Sequence, residues 1–149
     1  MRKFELVKPE CRRYECGKLP TRNDKGSAGY DFYAPVSFSI APGETYLLMT
    51  DIKAQMEKDE VLLLYVRSSI GIKKHLMLAN GTGIIDSSYY NNPDNDGNIG
   101  LALTNYGQET QHITLGDRIA QGIFINYLTT KDDKPLSEKR KGGIGSTGK

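Results

Sequence analysis

The sequence predicts a mainly β fold, a sandwich or barrel with many turns, and three observations favour it. Glycine is over-represented, with 16 residues in 149, which is well above the average of about 7%. Short runs rich in β-branched and aromatic residues lie between Gly- and Pro-containing stretches, as is typical of strands. No window of about 11 or more residues shows a convincing helical repeat of apolar residues, so long amphipathic helices are not expected.

Each predicted element follows from one such run. In chain order, the predicted strands cover residues 30–34, 36–40, 45–49, 61–66, 99–104 and 119–127. Turn-forming residues separate the strands, for example Pro42 with Gly43 and Gly81 with Gly83. A single helical turn is expected near residues 74–78.

The charge and composition exclude several function classes. The net charge is +2 with a pI near 8.4, too mild to favour nucleic-acid or membrane binding by charge. The longest apolar run, residues 61–66, is far shorter than the roughly 20 residues of a membrane-spanning helix. No secretory signal is visible at the N-terminus, and two cysteines and two histidines do not suggest a zinc site. We therefore expect a soluble, cytoplasmic protein.

The C-terminal segment differs in character from the rest. Residues 131–149 are polar, basic and rich in glycine, and they cannot bury enough apolar surface to order themselves. The sequence thus divides into a β domain, residues 1–130, and a flexible C-terminal arm, residues 131–149. The arm is either simply a loose end or a device in which Gly N–H groups, Arg140, Ser146 and Thr147 wrap an anion.

Four further clusters place charged or hydroxyl residues beside glycine or at a strand end. They are AGYD at residues 28–31, RSS at 67–69, GIID at 83–86 followed by Tyr89, and GDRIAQ at 116–121. Taken singly, each cluster is explained by a turn or a surface ion pair as well as by a functional site. In this order, and followed by the R-x-GG-x-GSTG of the arm, they resemble the five motifs of the trimeric dUTPase family from about residue 26 to residue 149.

The resemblance implies a distorted jelly-roll or β-barrel that forms a homotrimer with three active sites at subunit interfaces. It implies hydrolysis of dUTP to dUMP and pyrophosphate, with Mg²⁺ carried by the triphosphate. Such an activity limits uracil in DNA and supplies dUMP for thymidylate synthesis. The implied partners are dUTP and the other subunits, with neither nucleic acid nor membrane.

The resemblance also assigns residues. Asp86 matches the general base that activates water, Tyr89 the aromatic residue that packs on deoxyribose, and Asp31 an outer-shell carboxylate that holds a Mg²⁺-bound water. The uracil hairpin would comprise Asn80, Gly83, Ile84, Ile85 and Gly100. The phosphates would meet Arg67, Ser68, Ser69, Gln121, Arg140, Gly145, Ser146 and Thr147. Asp117 and Arg118 are expected to have a structural ion-pair role.

Three departures from the family pattern stand out. Ile144 occupies the arm position where the family usually has a Phe lid over the base, and we consider Tyr90 as a substitute lid. Residues 91–96 form an insertion whose Asn, Asp and Pro content predicts a longer turn. His75 stands where the family tends to have Gly.

Two alternatives remain open. A dCTP deaminase shares the barrel, but it needs a Glu on the strand after the hairpin, where this sequence has Ala102. A non-catalytic, dUTP-responsive regulatory protein would bind a partner protein, and the insertion at 91–96 would be the candidate surface for that partner.

Overall fold

The computed structural model describes residues 1–140 and Gly142. Within them the chain forms twelve strands, one α-helix and two 3₁₀ turns, so the predicted mainly β class is confirmed. The strands are β1 (Lys3–Leu6), β2 (Thr21–Arg22), β3 (Tyr30–Tyr33), β4 (Phe38–Ile40), β5 (Thr45–Met49), β6 (Ile52–Gln55), β7 (Glu60–Val66), β8 (Leu76–Leu78), β9 (Gly83–Asp86), β10 (Gly100–Asn105), β11 (Gln111–Ile113) and β12 (Arg118–Asn126). Helix α1 covers Ser68–Lys74, and the 3₁₀ turns cover Pro9–Cys11 and Ser87–Tyr89.

The strands are arranged in antiparallel sheets. The largest has the order β2-β3-β12-β7-β9, and a three-stranded sheet has the order β5-β10-β8. Two strand pairs, β1 with β6 and β4 with β11, complete the described architecture. Alternating side chains such as Leu62 and Leu64 of β7 and Leu101 and Leu103 of β10 point into one continuous apolar core.

The predicted helical turn at residues 74–78 is wrong, because the helix lies one turn earlier. Helix α1 ends at Lys74, and His75 takes a left-handed conformation with φ of 54°, where glycine is the usual residue. Leu76 and Leu78 are then buried while Met77 is exposed. That alternation is the period of a strand. Only Ile70 of α1 is buried, so the helix carries almost no apolar pattern by which it could be recognised.

The chain becomes exposed after the last strand. Residues 127–139 form no helix or strand, and all of them are exposed to solvent. Burial returns at Arg140, which is partly buried, and at Gly142, which is buried. No helix in the described part of the chain is long and apolar enough to cross a bilayer.

Candidate active site

A cleft of about 360 Å³ opens between β9 and the β5-β10-β8 sheet. We call it the Asp86 cleft. Its lining consists mostly of apolar side chains and glycines: Leu47, Leu64, Leu78, Ala79, Asn80, Gly83, Ile84, Ile85, Asp86, Tyr89, Gly100, Leu101, Ala102 and Arg140. The volume lies in the range that small-molecule ligands occupy.

The backbone at this cleft is available to a ligand. Strand β9 pairs with β7 on one side and is the last strand of its sheet, so the backbone groups on its other edge are not used in strand pairing. Gly83 makes the close approach to β7 feasible, because a Cβ there would lie 3.0 Å from the Cβ of Leu64. The cleft therefore offers N–H and C=O groups as well as apolar surface.

Asp86 ends β9, and more than half of its side chain is exposed, 56%. The Nη1 of Arg140 lies 3.1 Å from Asp86 Oδ2, and the guanidinium carbon lies 5.0 Å from the centre of the Tyr89 ring. The Nε of Arg140 donates to the carbonyl oxygen of Gly142 at 2.7 Å. The beginning of the glycine-rich part of the arm thus lies against the cleft of its own chain.

Tyr89 is buried and held at its hydroxyl by two hydrogen bonds. The hydroxyl donates to the carbonyl oxygen of Asn98 at 2.6 Å and accepts from Nδ2 of Asn95 at 2.8 Å. Burial raises the pKa of the Tyr89 phenol above its ordinary value, so it stays protonated and able to donate. Gly97 must be glycine here: its φ is 82°, and a Cβ would lie 2.6 Å from the carbonyl oxygen of Tyr89.

The insertion at residues 91–96 folds as turns, as the sequence predicts. It is not simply a surface loop, because Asn92 and Asp96 are buried. Asn92 Nδ2 donates to the carbonyl oxygen of Gly142 at 2.7 Å, and Asp96 Oδ2 accepts from the N–H of Lys8 and from Lys53 Nζ. Sequence reasoning missed these roles, although runs of Asn, Asp and Gly are a recognised signal for side-chain-stabilised turns.

Tyr90 does not cover this cleft. Its hydroxyl donates to a carboxylate oxygen of Glu5 in β1, and Lys53 Nζ lies 4.9 Å from its ring centre. The hydrogen bond to Glu5 raises the pKa of Tyr90 to about 12. Tyr90 is absent from the described lining of the cleft, so its role as a substitute lid stays a prediction from the sequence.

A second cleft, which we call the Arg67 cleft, is polar. Its described lining is Asn23, Ser27, Ala28, Gly29, Asp31, Arg67, Ser68, Arg118, Gln121 and Ile123. Three neighbouring strands bring the key residues together: Asp31 on β3 faces Gln121 on β12, and Arg67 follows the end of β7.

Charges in the Arg67 cleft are paired around one buried carboxylate. Asp31 Oδ1 lies 3.1 Å from Arg67 Nε, and Asp31 Oδ2 lies 3.6 Å from Arg118 Nη1. Arg118 thus forms an ion pair, as the sequence predicts, but its partner is Asp31 and not the neighbouring Asp117. Asp117 instead accepts a hydrogen bond from the N–H of Thr114 and closes a turn.

The predicted site residues fall into two sets. The Asp86 cleft collects Asn80, Gly83, Ile84, Ile85, Asp86, Tyr89, Gly100 and Arg140, whereas the Arg67 cleft collects Asp31, Arg67, Ser68 and Gln121. The two clefts share no described lining residue. Ser69 is the second residue of α1 and lies outside both described linings. Ile144, Gly145, Ser146 and Thr147 lie outside the described residues.

These features define a mainly β protein with two clefts. One is apolar and has one carboxylate in its described lining, and the other holds two arginines, Arg67 and Arg118, that both pair with Asp31. The dUTPase family model matches residues 15–148, and the chain belongs to the dUTPase family.

Individual relatives agree. The chain is similar to the deoxyuridine 5′-triphosphate nucleotidohydrolase of Lactococcus lactis, with 45% identity over 131 residues and 87% of each chain covered. It is 38% identical over 135 residues to the enzyme of the same name from vaccinia virus, with 88% of this chain and 86% of the viral one covered. A crystal structure of dUTPase from Streptococcus mutans matches with a TM-score of 0.77 at 37% identity, covering 86% of this chain and 98% of that one.

Proposed function

We propose that the Asp86 cleft is the site at which this protein hydrolyses dUTP to dUMP and pyrophosphate, and that Asp86 is the general base. Hydrolysis of dUTP follows from membership of the dUTPase family. One observation carries the choice of site: Asp86 is the single carboxylate among the described residues of an apolar, nucleotide-sized cleft. A carboxylate fixed within reach of a bound water both orients the water and accepts its proton during attack at the α-phosphorus.

The lining favours the hydrolase over the deaminase. A deaminase of this fold would need a Glu at the position of Ala102, and the Ala102 methyl faces the cleft instead. Backbone groups along the free edge of β9 and at Gly100 suit the edge of a uracil base. A cytosine amino group would leave a donor unmatched against that edge, and an unmatched buried donor is costly.

Tyr89 supplies the sugar contact in this proposal. Its ring lines the cleft, and two hydrogen bonds fix its hydroxyl. A rigid ring packed on the deoxyribose leaves no space for a 2′-hydroxyl, so ribonucleotides are rejected by shape. The same ring lies beneath the Arg140 guanidinium.

The triphosphate would meet Arg67, Ser68, Ser69 and Gln121, which offer a forked cation and neutral donors. Because no described residue belongs to both clefts, we infer that one subunit supplies the Asp86 cleft and a neighbour supplies the Arg67 cleft. A homotrimer of jelly-roll barrels with three sites between subunits fits this division.

In this proposal magnesium is an ion that the substrate carries. Within the described residues no group of three or more His, Cys, Asp or Glu side chains is arranged to hold a metal. Asp31 uses one oxygen for Arg67 and the other for Arg118. Its remaining lone pairs suit a hydrogen bond from a metal-bound water. Bound to the triphosphate, Mg²⁺ would neutralise phosphate charge.

The arm would complete the site. We keep residues 1–130 as the catalytic domain and residues 131–149 as the arm that closes over the nucleotide. Arg140 lies against Asp86, and bound phosphates would compete for this guanidinium. The assignments of Ile144, Gly145, Ser146 and Thr147 stay predictions from the sequence.

The test is pyrophosphate release with Mg²⁺ from dUTP, dCTP, UTP and dTTP, beside Asp86→Asn and with ammonia measured from dCTP. We expect rapid release from dUTP alone and a loss of about 10²–10⁴ in kcat for Asp86→Asn. Ammonia from dCTP would overturn the argument from Ala102. Binding of dUTP without turnover would favour a regulatory binding protein, and an active Asp86→Asn would move the base elsewhere.

A further inference from the structure

We propose that Asn95, in the inserted loop, is a positioning residue that holds the Tyr89 ring in place against the sugar of the nucleotide and so sharpens the rejection of ribonucleotides. The inference rests on the proposed function of the Asp86 cleft, in which Tyr89 supplies the sugar contact. The described lining of that cleft includes Tyr89 but not Asn95, so Asn95 acts on the substrate through the tyrosine.

The contact between the two side chains is direct and oriented. Asn95 Nδ2 donates to the hydroxyl oxygen of Tyr89 at 2.8 Å. Oδ1 of the same amide accepts from the N–H of Gly97 at 3.0 Å, which is the bond of an Asx turn. Because an amide carries its oxygen and its NH₂ group on opposite sides, the bond to Gly97 turns the NH₂ group towards Tyr89.

The second partner of the Tyr89 hydroxyl belongs to the protein core. The hydroxyl donates to the carbonyl oxygen of Asn98 at 2.6 Å, and Asn98 is 2% exposed. The Asn98 amide is locked in turn, because its Oδ1 accepts from the N–H of Asp51 at 2.8 Å and its Nδ2 donates to Asp51 Oδ1 at 2.9 Å. With its proton committed to Asn98, the hydroxyl has lone pairs left to accept from Asn95.

The loop holds Asn95 at a fixed place relative to the tyrosine. The N–H of Asn98 donates to the carbonyl oxygen of Asn95 at 3.1 Å, and the next residue, Asp96, is buried. The backbone of Gly97 lies so close to Tyr89 that a Cβ would be 2.6 Å from the Tyr89 carbonyl oxygen. The donor therefore approaches the hydroxyl from an anchored segment.

Hydrogen bonds at a tyrosine hydroxyl restrict one motion of the ring in particular. The hydroxyl oxygen lies on the axis about which the ring flips, so bonds to it fix where that axis points and leave the flip itself to packing. The direction of the axis decides how far the face of the ring lies from a bound sugar. A ring locked by supporting hydrogen bonds rejects a 2′-hydroxyl, whereas a ring that can swing aside makes room for it.

Three variants separate this role from the fold of the loop. Asn95→Ser can still accept from the Gly97 N–H in a Ser turn but is too short to donate to Tyr89. Tyr89→Phe removes the hydroxyl at the other end of the bond. The matched control is Asn91→Ser, the same change in the same loop, which removes the acceptor of Lys53 Nζ and leaves the Tyr89 hydroxyl untouched.

The first measurement is the NMR signal of the Tyr89 Cζ in protein made with tyrosine that carries ¹³C at Cζ. The signal is assigned by its loss in Tyr89→Phe, and its chemical shift reports hydrogen bonding at the hydroxyl. We expect it to move in Asn95→Ser and to keep the parental shift in Asn91→Ser. An unmoved signal in a folded Asn95→Ser protein would overturn the proposal, whether or not the Asp86 cleft is the active site.

The second measurement is kcat/KM for dUTP, UTP and dCTP. Asn95→Ser should lower the dUTP:UTP ratio about fivefold, as the loss of one hydrogen bond predicts, and should leave the dUTP:dCTP ratio unchanged. Asn91→Ser should keep both ratios. A fivefold fall of the dUTP:UTP ratio in Asn91→Ser as well would mean that any loosening of the loop has this effect, and the role of Asn95 would be refuted.

A double-mutant cycle shows whether Asn95 acts through the tyrosine. When Tyr89 is already Phe, Asn95→Ser should leave the dUTP:UTP ratio unchanged, because no hydroxyl remains to be held. A further fivefold fall in that background would contradict the proposal, as would a parental ratio in Asn95→Ser alone. A parent chain without turnover would count against the proposed function, while the Tyr89 signal would still decide whether Asn95 holds the ring.

Discussion

The two clefts of this protein are built in opposite ways. The Asp86 cleft is made of a strand edge, glycines and apolar side chains, with Asp86 as the one carboxylate in its described lining. The Arg67 cleft is made mostly of polar side chains around an ion pair between the buried Asp31 and the partly buried Arg67. A surface of backbone edges and apolar contacts selects a ligand by shape, whereas a cationic surface selects it by charge.

From this contrast we expect each cleft to recognise a different part of the nucleotide. Changes in the Asp86 cleft should alter the preference among bases and sugars, because its groups are fixed by the fold. Changes in the Arg67 cleft should alter how well a triphosphate is held without changing which base is preferred. The predictions below test that division, in order of decreasing effect.

The largest effect is expected for Arg67→Gln. Glutamine retains a donor for Asp31 but loses the cationic fork, so kcat/KM for dUTP should fall by about 10²–10³, with the dUTP:dCTP ratio unchanged. Steady-state kinetics on both nucleotides measures this.

Its control is Arg118→Gln, which removes another cation from the same cleft. Arg118 lies 3.6 Å from Asp31, farther than Arg67 does at 3.1 Å. The loss should be much smaller for this variant. Equal losses in the two variants would mean that the overall charge of the cleft, and not the position of Arg67, is what matters.

An intermediate effect is expected for Gly29→Ala. A Cβ at this position would lie 2.6 Å from Oε1 and 3.3 Å from Cβ of Gln121, so the amide must turn away from the cleft. The KM for dUTP should rise about tenfold because one hydrogen-bond donor is lost, while the protein stays folded.

Gly26→Ala is the matched control for that variant. A Cβ added at Gly26 would have a side-chain oxygen of Asp24 as its nearest neighbour, at 3.4 Å, which is an ordinary van der Waals contact. If Gly29→Ala changed the preference between dUTP and dCTP instead of the KM, the division of roles between the clefts would be wrong.

The smallest effect concerns Asp96, in the loop that supports the Asp86 cleft. Burial alone would raise the pKa of Asp96, but hydrogen bonds from Lys53 and from the Lys8 N–H outweigh it and lower the pKa below its ordinary value. A lowered pKa in the folded state gives stability that is present above pH 4 or so and is lost as the pH falls further. Asp96→Asn should therefore be less stable than the parent by about 1 kcal/mol at pH 7.

Thermal unfolding at pH 7 and at pH 3.5 checks this difference. The gap between Asp96→Asn and the parent should shrink at the lower pH, because the parent alone loses a stabilising charge. A gap that stays constant would mean that the carboxylate of Asp96 adds nothing through its charge.

The strands with strong β patterns were predictable from the sequence. Residues 45–49 match β5 to the residue. The prediction at 61–66 begins one residue after β7, and the prediction at 119–127 is shifted by one residue from β12 at each end. These segments carry long β-branched and apolar runs, and their burial in the core agrees with the pattern. The short strands β2 and β11 have two and three residues and depend on their partners, so no local pattern marks them.

The site was only partly predictable for a similar reason. Gly83, Ile84, Ile85, Asp86 and Tyr89 are brought together because they follow one another on β9 and the turn after it. The sequence did not show that these residues divide between two clefts. It also did not show two long-range contacts: Arg140 lies on Asp86, 54 positions away, and Asn92 donates to Gly142, 50 positions away. Contacts of that kind depend on the folded topology, which a local pattern does not contain.

The central claim, that catalysis joins the Asp86 cleft of one subunit to the Arg67 cleft of another, has a direct test. Asp86→Asn and Arg67→Gln chains are co-produced in equal amounts, so that mixed trimers assemble at random, and dUTP turnover is measured against each variant alone. A shared site predicts recovery of about one quarter of the parental activity, since one site in four pairs an intact Asp86 with an intact Arg67. If the mixture were no more active than the average of the two variants, both clefts would have to act within one chain, and the account would be contradicted.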